Sequence, residues 1–204
     1  MLEHEVLDMI PRGRLFSIER GVFPRLAQAG SLYGYVDPGY WRDIGTPESY
    51  LQAHFDILER TVHTAVADLL GEQYLYVAAS ADIDAKARVV PPCYIGENAR
   101  VEAGARVGPL AVLGAGAVVA EGATILESVI QAGVVIGAHA QVERSIVVRK
   151  SSIGAGTQLH SAVIGEGCHV GAGNRLVGGI CLYPDTMLPD NSIQFHEQLR
   201  GKEG

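Results

Sequence analysis

The chain has 204 residues, 48% of them hydrophobic and only 19% charged, which excludes a wholly disordered polypeptide. Sixteen Lys and Arg stand against 23 Asp and Glu, a formal net charge of −7, so a strongly basic nucleic-acid surface is not expected. Glycine is abundant at 25 residues while aromatics make up 6%, which points to a core of small and aliphatic side chains.

The opening stretch MLEHEVLDMIPRGR has early acids and no apolar h-region, so it does not read as a signal peptide. No apolar run approaches the roughly 20 residues of a membrane span. Cys93, Cys168 and Cys181 are too few and too scattered for a disulfide framework or a zinc motif, and read as buried reduced thiols. The expectation is a soluble cytoplasmic protein with neither membrane nor nucleic-acid partners.

In chain order, LEHEVLDMI (2–10) puts Leu2, Val6, Met9 and Ile10 on one helical stripe that stops at Pro11. SIERGVFPRLAQAG (17–30) predicts a second short helix with Ser17 as N-cap, Gly30 as stop and Pro24 as a break. LYGYV and YWRDI then flank Asp37-Pro38-Gly39 and predict a hairpin, with Gly39 at positive φ. Arg42 alternates away from Trp41 and is expected in solvent. Thr46 and Pro47 make an N-cap and first turn. The helix after them carries Leu51, Phe55, Leu58, Val62, Val66 and Leu69 at spacings of three and four and ends at Gly71.

From residue 83 the chain falls into sixes: IDAKAR, VVPPCY, IGENAR, VEAGAR, VGPLAV, LGAGAV, VAEGAT. The lead position is aliphatic throughout, from Ile83 to Leu176. From Ile125 onward one unit in three is a residue short (ILESV, VERSI, LHSAV), so the period drops from 18 to 17 and stays regular. Two residues before each aliphatic position stands a small residue, with Val134 and Asn174 as bulkier exceptions. Each unit is thus a short strand plus a corner, and three make one coil of a triangular prism whose lead residues point inward. About five coils, rising roughly 25 Å, are expected between 83 and 176. His139, His160 and His169 fall at different phases of the repeat without metal-binding spacing and read as surface or corner residues. Prolines 184 and 189 are expected to interrupt the ladders, and LRGKEG to be frayed.

The repeat resembles the hexapeptide-repeat, left-handed parallel β-helix family. The string GYVDPGYWRDIGTPESYLQAHFDIL (34–58) resembles the end of the catalytic domain of sugar-1-phosphate nucleotidyltransferases, above all the mannose-1-phosphate guanylyltransferase branch. Its WxDIGTPxxYLxA core is Trp41, Asp43, Ile44, Gly45, Thr46, Pro47, Tyr50, Leu51 and Ala53. The resemblance implies a mainly β fold. A small α/β remnant of a nucleotidyltransferase domain (1–46) and a linking helix (47–71) precede a left-handed β-helix (72–182), followed by a cap and tail (183–204).

It further implies synthesis of a nucleoside-diphosphate sugar from a sugar 1-phosphate and an NTP, with pyrophosphate released. Asp43 would be one of two carboxylates holding Mg2+. Trp41, Tyr35 and Glu19 are weaker candidates for sugar contacts. Asp43 has a second reading, as a brace for the start of the Thr46 helix. The family's Gly-rich phosphate loop, GxGTRLxPLT, is not found, and the only lysines are Lys86, Lys150 and Lys202. The chain alone is therefore expected to be inactive. A hexapeptide acyltransferase and a noncatalytic, homo-oligomeric assembly module are the competing classes.

Overall fold

A computed structural model describes residues 2–194. The chain divides into two units, residues 1–41 and Arg42 onward. The expected tail at LRGKEG lies outside the described residues.

The first unit contains three short helices, α1 (Glu5–Asp8), α2 (Ile18–Gly21) and α3 (Phe23–Gln28). Ser17 caps α2 by accepting the Arg20 amide, and Pro24 opens α3, so the break expected at that proline separates two helices. Val6 and Val22 are buried. Leu15, Tyr33, Tyr35, Val36 and Trp41 are almost fully exposed.

The expected hairpin is absent: residues 31–45 carry no strand. Its turn survives in another form. Asp37 Oδ1 accepts the Gly39 amide at 2.8 Å, an Asx turn, and Gly39 is not at positive φ. Two strands with no third strand or helix to cover their apolar side are marginal in water, and a local turn signal does not offset that.

In the second unit, α4 (Pro47–Leu58) begins with a capping box: Thr46 Oγ1 accepts the Ser49 amide and Ser49 Oγ accepts that of Thr46. The expected single helix to Gly71 breaks after α4 and restarts as α5 (Ala65–Leu69). Arg60 turns left-handed (φ 59°), Thr61 ties its amide and hydroxyl to the Asp56 carbonyl, and Thr64 caps the new start. Consequently Ala67 and Leu70 are buried, while Val66 and Leu69, placed on the apolar stripe by the single-helix reading, are exposed.

The rest is a triangular prism of parallel strands. Its three sheets have seven, seven and six strands, each hydrogen-bonded to the strand one coil away. The inward stacks follow the repeat. Ile95, Leu113, Ile130, Val147 and Ile164 align on the first face. Val101, Val119, Ile136, Ile153 and Val170 align on the second. Val107, Ile125, Val142, Leu159 and Leu176 align on the third. All fifteen are buried.

The prism is longer than the five coils expected. It starts at Leu75–Val77, and its ladders run on through Cys181–Leu182 to Met187–Leu188. Pro184 and Pro189 fall at corners just past those strands, where no ladder bond is asked of them. Seven coils, at the same spacing, rise about 34 Å.

The shortened units have a physical device. At each, the corner residue is left-handed: Glu127, Arg144 and Ser161 (φ 45°, 47° and 52°). Ser128 Oγ accepts the Ser145 amide, and Ser145 Oγ accepts the Ala162 amide, both at 3.0 Å. Each hydroxyl also donates to a carbonyl two residues back, Leu126 and Glu143 respectively. The two buried serines thus form a hydrogen-bonded ladder where a residue has been lost from the corner.

Candidate functional site

The segment that carries the nucleotidyltransferase resemblance enters the second unit at Arg42. Asp43 Oδ1 accepts the Gly45 amide at 3.0 Å, which turns the chain into the Thr46 cap. This is the bracing role. Arg42 is exposed, as expected, and its Nε also donates to Asp56 Oδ2 at 2.8 Å, a carboxylate whose side chain is 9% exposed. Gln52 Nε2 donates to the other oxygen of Asp56 at 2.9 Å. Asp56 was missed because it follows Phe55 in an apolar pattern. Its i,i+4 spacing from Gln52 was the available signal.

α4 lies on the first face of the prism. Leu51 and Phe55 pack on Val129 and Ile146, with Tyr50, Leu110, Val112, Val148 and Val163 half-buried around them. The Tyr50 hydroxyl accepts from Gln131 Nε2 at 3.4 Å. Burying side chains of this size contributes about 1.5–3 kcal/mol each, enough to hold the helix on its seat.

Beside the Asp43 turn an open cleft of about 350 Å³ is lined by Ile44, Thr46, Tyr50, Gln131, Ile146 and Val148, among others. At the other end of α4 an apolar cleft of about 220 Å³ lies among His54, Ile57, Leu58, Val66, Tyr94 and Val112.

The remaining candidates are placed separately. Glu19 is exposed in the first turn of α2. Tyr35 and Trp41 are 91% and 82% exposed. None of the three lines the clefts above. Among the described residues no group of three or more His, Cys, Asp or Glu side chains is arranged to hold a metal ion. Asp43 is a single carboxylate with one oxygen engaged by Gly45, so the residues present do not by themselves fit a complete magnesium site.

The histidines sit as expected. His139 is a left-handed corner residue, His160 lies 3.5 Å from Glu143, and His169 hydrogen-bonds Ser152 on an outer face. No helix of the described residues is long and apolar enough to cross a membrane.

The cysteines depart from expectation in one case: Cys93 and Cys168 are buried, but Cys181 is exposed. Burial pushes the Cys93 thiol from 9.0 up to about 12. Because the folded value is the higher one, the contribution of the neutral thiol to stability is intact below 9.0 and is lost as pH rises from there toward 12. A disulfide reagent at mildly alkaline pH is expected to label Cys181 rapidly and the two buried thiols only after denaturant is added. Rapid labelling of all three in the native chain contradicts the burial.

A model of one family, described as the GMPPB C-terminal domain, matches residues 74–197. The chain belongs to that family. The match covers the prism from its first strand to beyond its last. The mannose-1-phosphate guanylyltransferase of Mycobacterium tuberculosis is 41% identical over 83 residues, which are 39% of this chain and 23% of that protein. A probable mannose-1-phosphate guanylyltransferase of Arabidopsis thaliana is 33% identical over 99 residues, 47% of this chain and 26% of that protein. The chain thus spans about a quarter of the length of these relatives.

Among solved structures, a putative acetyltransferase of Bacillus cereus superposes with a TM-score of 0.51 at 24% identity, over 54% of this chain and 70% of that one. A hexapeptide transferase family protein of Anaplasma phagocytophilum gives 0.53 at 23%, over 55% and 72%. These two likenesses concern the fold alone. The fold of the GMPPB C-terminal domain here is the parallel β-helix expected from the repeat, left-handed as the family resemblance implies.

Proposed function

We propose that this chain is the β-helix arm, with the adjoining end of the catalytic domain, of an enzyme that makes a nucleoside-diphosphate sugar, most simply GDP-mannose, from a sugar 1-phosphate and an NTP. One observation carries the reading. The Asp43–Thr46 turn runs straight into α4, and α4 is seated on the family-matched prism. From Arg42 on, the segment that resembles a nucleotidyltransferase therefore belongs to one folded unit with the β-helix.

The exposed Tyr33, Tyr35, Val36 and Trp41 suit residues that a larger domain covers. Asp43 is then one ligand, contributed by this chain, of a magnesium site completed elsewhere. Bound magnesium would supply charge neutralisation between the two phosphate-bearing reactants. The chain's own part is to hold the Asp43 carboxylate in place through Gly45 and the Thr46 cap. Lacking the phosphate loop, the 204 residues alone do not turn over, and assembly into a homo-oligomer belongs to the same reading.

Incubating the purified chain with mannose 1-phosphate, GTP and Mg2+ is expected to release no pyrophosphate above background. Fusing the upstream portion of a mannose-1-phosphate guanylyltransferase ahead of Gly34 is expected to give GDP-mannose. Asp43→Asn in that fusion should cost at least about a hundredfold in kcat. Turnover by the chain alone would remove the claim of inactivity, and a well-folded fusion without product would remove the nucleotidyltransferase reading.

A further inference from the structure

Residues 42–46 run back along α4. Asp56 lies about two and a half turns into the helix from Pro47, and the Arg42 side chain reaches it, Nε to Oδ2 at 2.8 Å. The segment is thus tied at both ends, Arg42 to the third turn of α4 and Thr46 to the first turn through the capping box. Asp43 sits inside this short span, exposed, with one carboxylate oxygen on the Gly45 amide at 3.0 Å.

The tie to Asp56 is not what helix packing asks for. The other buried residues of α4 are Leu51, Phe55 and Leu58, and an apolar residue at position 56 would add to them without taking a charge out of water. Instead a carboxylate is buried there, and both of its oxygens are engaged, one by Arg42 and the other by Gln52 Nε2 at 2.9 Å. Exchanging a buried ion pair for apolar residues of similar size is often neutral or stabilising, so stability does not account for the pair. What it supplies is one defined path for the chain entering α4.

We propose that Asp56, oriented by Gln52 and acting through Arg42, is a positioning residue for the Asp43 carboxylate. With Arg42 anchored, the backbone at Asp43 has a single route into the Gly45 turn, and its carboxylate is held in one place before any reactant arrives. The functional meaning rests on the nucleotidyltransferase reading of Asp43, whereas the tie is a property of this chain alone.

The test uses two variants that break the tie and one that does not. The double variant Arg42→Met/Asp56→Leu puts an apolar pair in place of the charged one and should melt at or above the wild-type temperature. By NMR, its Gly45 amide should exchange at least about threefold faster than in the wild type, while the Phe55 and Leu58 amides keep their rates. Asp56→Asn keeps the shape of the side chain, so it folds even if the double variant does not, and should show the same change at Gly45. Asp82→Asn breaks the exposed pair with Arg100 on the second face and should leave Gly45 unchanged. In the fusion described above, the double variant should lower kcat at least about tenfold and keep the KM for mannose 1-phosphate within about twofold. Wild-type exchange at Gly45 in either folded variant overturns the proposal. So does acceleration spread evenly over α4, which a merely structural role would give, and so does an unchanged kcat in an active fusion. A wild-type fusion that yields no product removes the nucleotidyltransferase reading instead, and the Gly45 rates still decide the tie.

Discussion

Ile130→Asp is expected to leave the chain without a cooperative melting transition. Ile130 is 0% exposed and stacks between Leu113 and Val147 in the middle of the first-face column. A carboxylate there has no water and no partner. The cost of burying it, added to the lost apolar contact, is about 4–5 kcal/mol or more, against a total stability of about 5–15 kcal/mol for a typical domain. In a quasi-one-dimensional stack the damage also separates the coils on either side, because each coil is held only by its neighbours. Ile130→Val should cost only about 0.5–1.5 kcal/mol. Val135→Asp, on the outward side of the second face, should stay within about 0.5 kcal/mol of the wild type. Circular-dichroism melts of the three variants check this, and a wild-type-like melt for Ile130→Asp would refute the inward stack.

Asn174→Ala is expected to cost about 2–4 kcal/mol although alanine fits the position. The equivalent positions one coil after another hold Ala105, Ala123, Ala140 and Thr157, so the coil itself accepts a small residue there. What is lost is hydrogen bonding at the end of the prism. The buried Asn174 donates Nδ2 to the Gly171 and Pro189 carbonyls, both at 2.9 Å. Its Oδ1 accepts from the Ser192 hydroxyl at 3.0 Å and from the Ile193 amide at 2.8 Å. One side chain thus ties the segment after the last strands to the coil beneath it. Hydrogen exchange should speed up in residues 175–193 and stay unchanged around Ile130, since opening is local in such stacks. Uniform acceleration along the whole prism would show that Asn174 does not act as a local clasp.

These two residues also show how far the amino-acid pattern reaches. Ile130 follows from spacing alone, because a stack of one aliphatic residue per strand leaves a periodic trace. Asn174 interrupts that trace, and its polarity was the sign of the terminal clasp. The extent of the prism was underestimated because Leu182 and Leu188 continue the six-residue spacing through prolines that read as terminators, while in the structure those prolines stand at corners. The hairpin failed for the opposite reason: a strong local turn signal had no sheet to join. The seat of α4 was written in a feature that the repeat frame passes over. The outward positions are apolar coil after coil on the first face, at Tyr94, Val112, Val129, Ile146 and Val163, whereas the second face mixes Val118 and Val135 with Arg100, Ser152 and His169, and the third carries Arg, Thr and Gln there. The Arg42–Asp56 pair depends on how the chain enters α4, which no periodicity encodes.

The direction of α4 has a consequence for how the molecule is made. Its beginning, at Pro47 and Leu51, meets coils that contain Ile146 and Val163, while its end, at His54 and Leu58, meets Tyr94 and Val112. The helix therefore runs against the direction in which the coils wind. A ribosome releases Leu51 and Phe55 roughly a hundred residues before the surface they rest on exists, and the emerging polypeptide must carry that greasy strip uncovered until the fifth and sixth turns have closed. Chaperone dependence during synthesis should follow this interval, so that shortening the solenoid from its far end would leave the strip permanently bare.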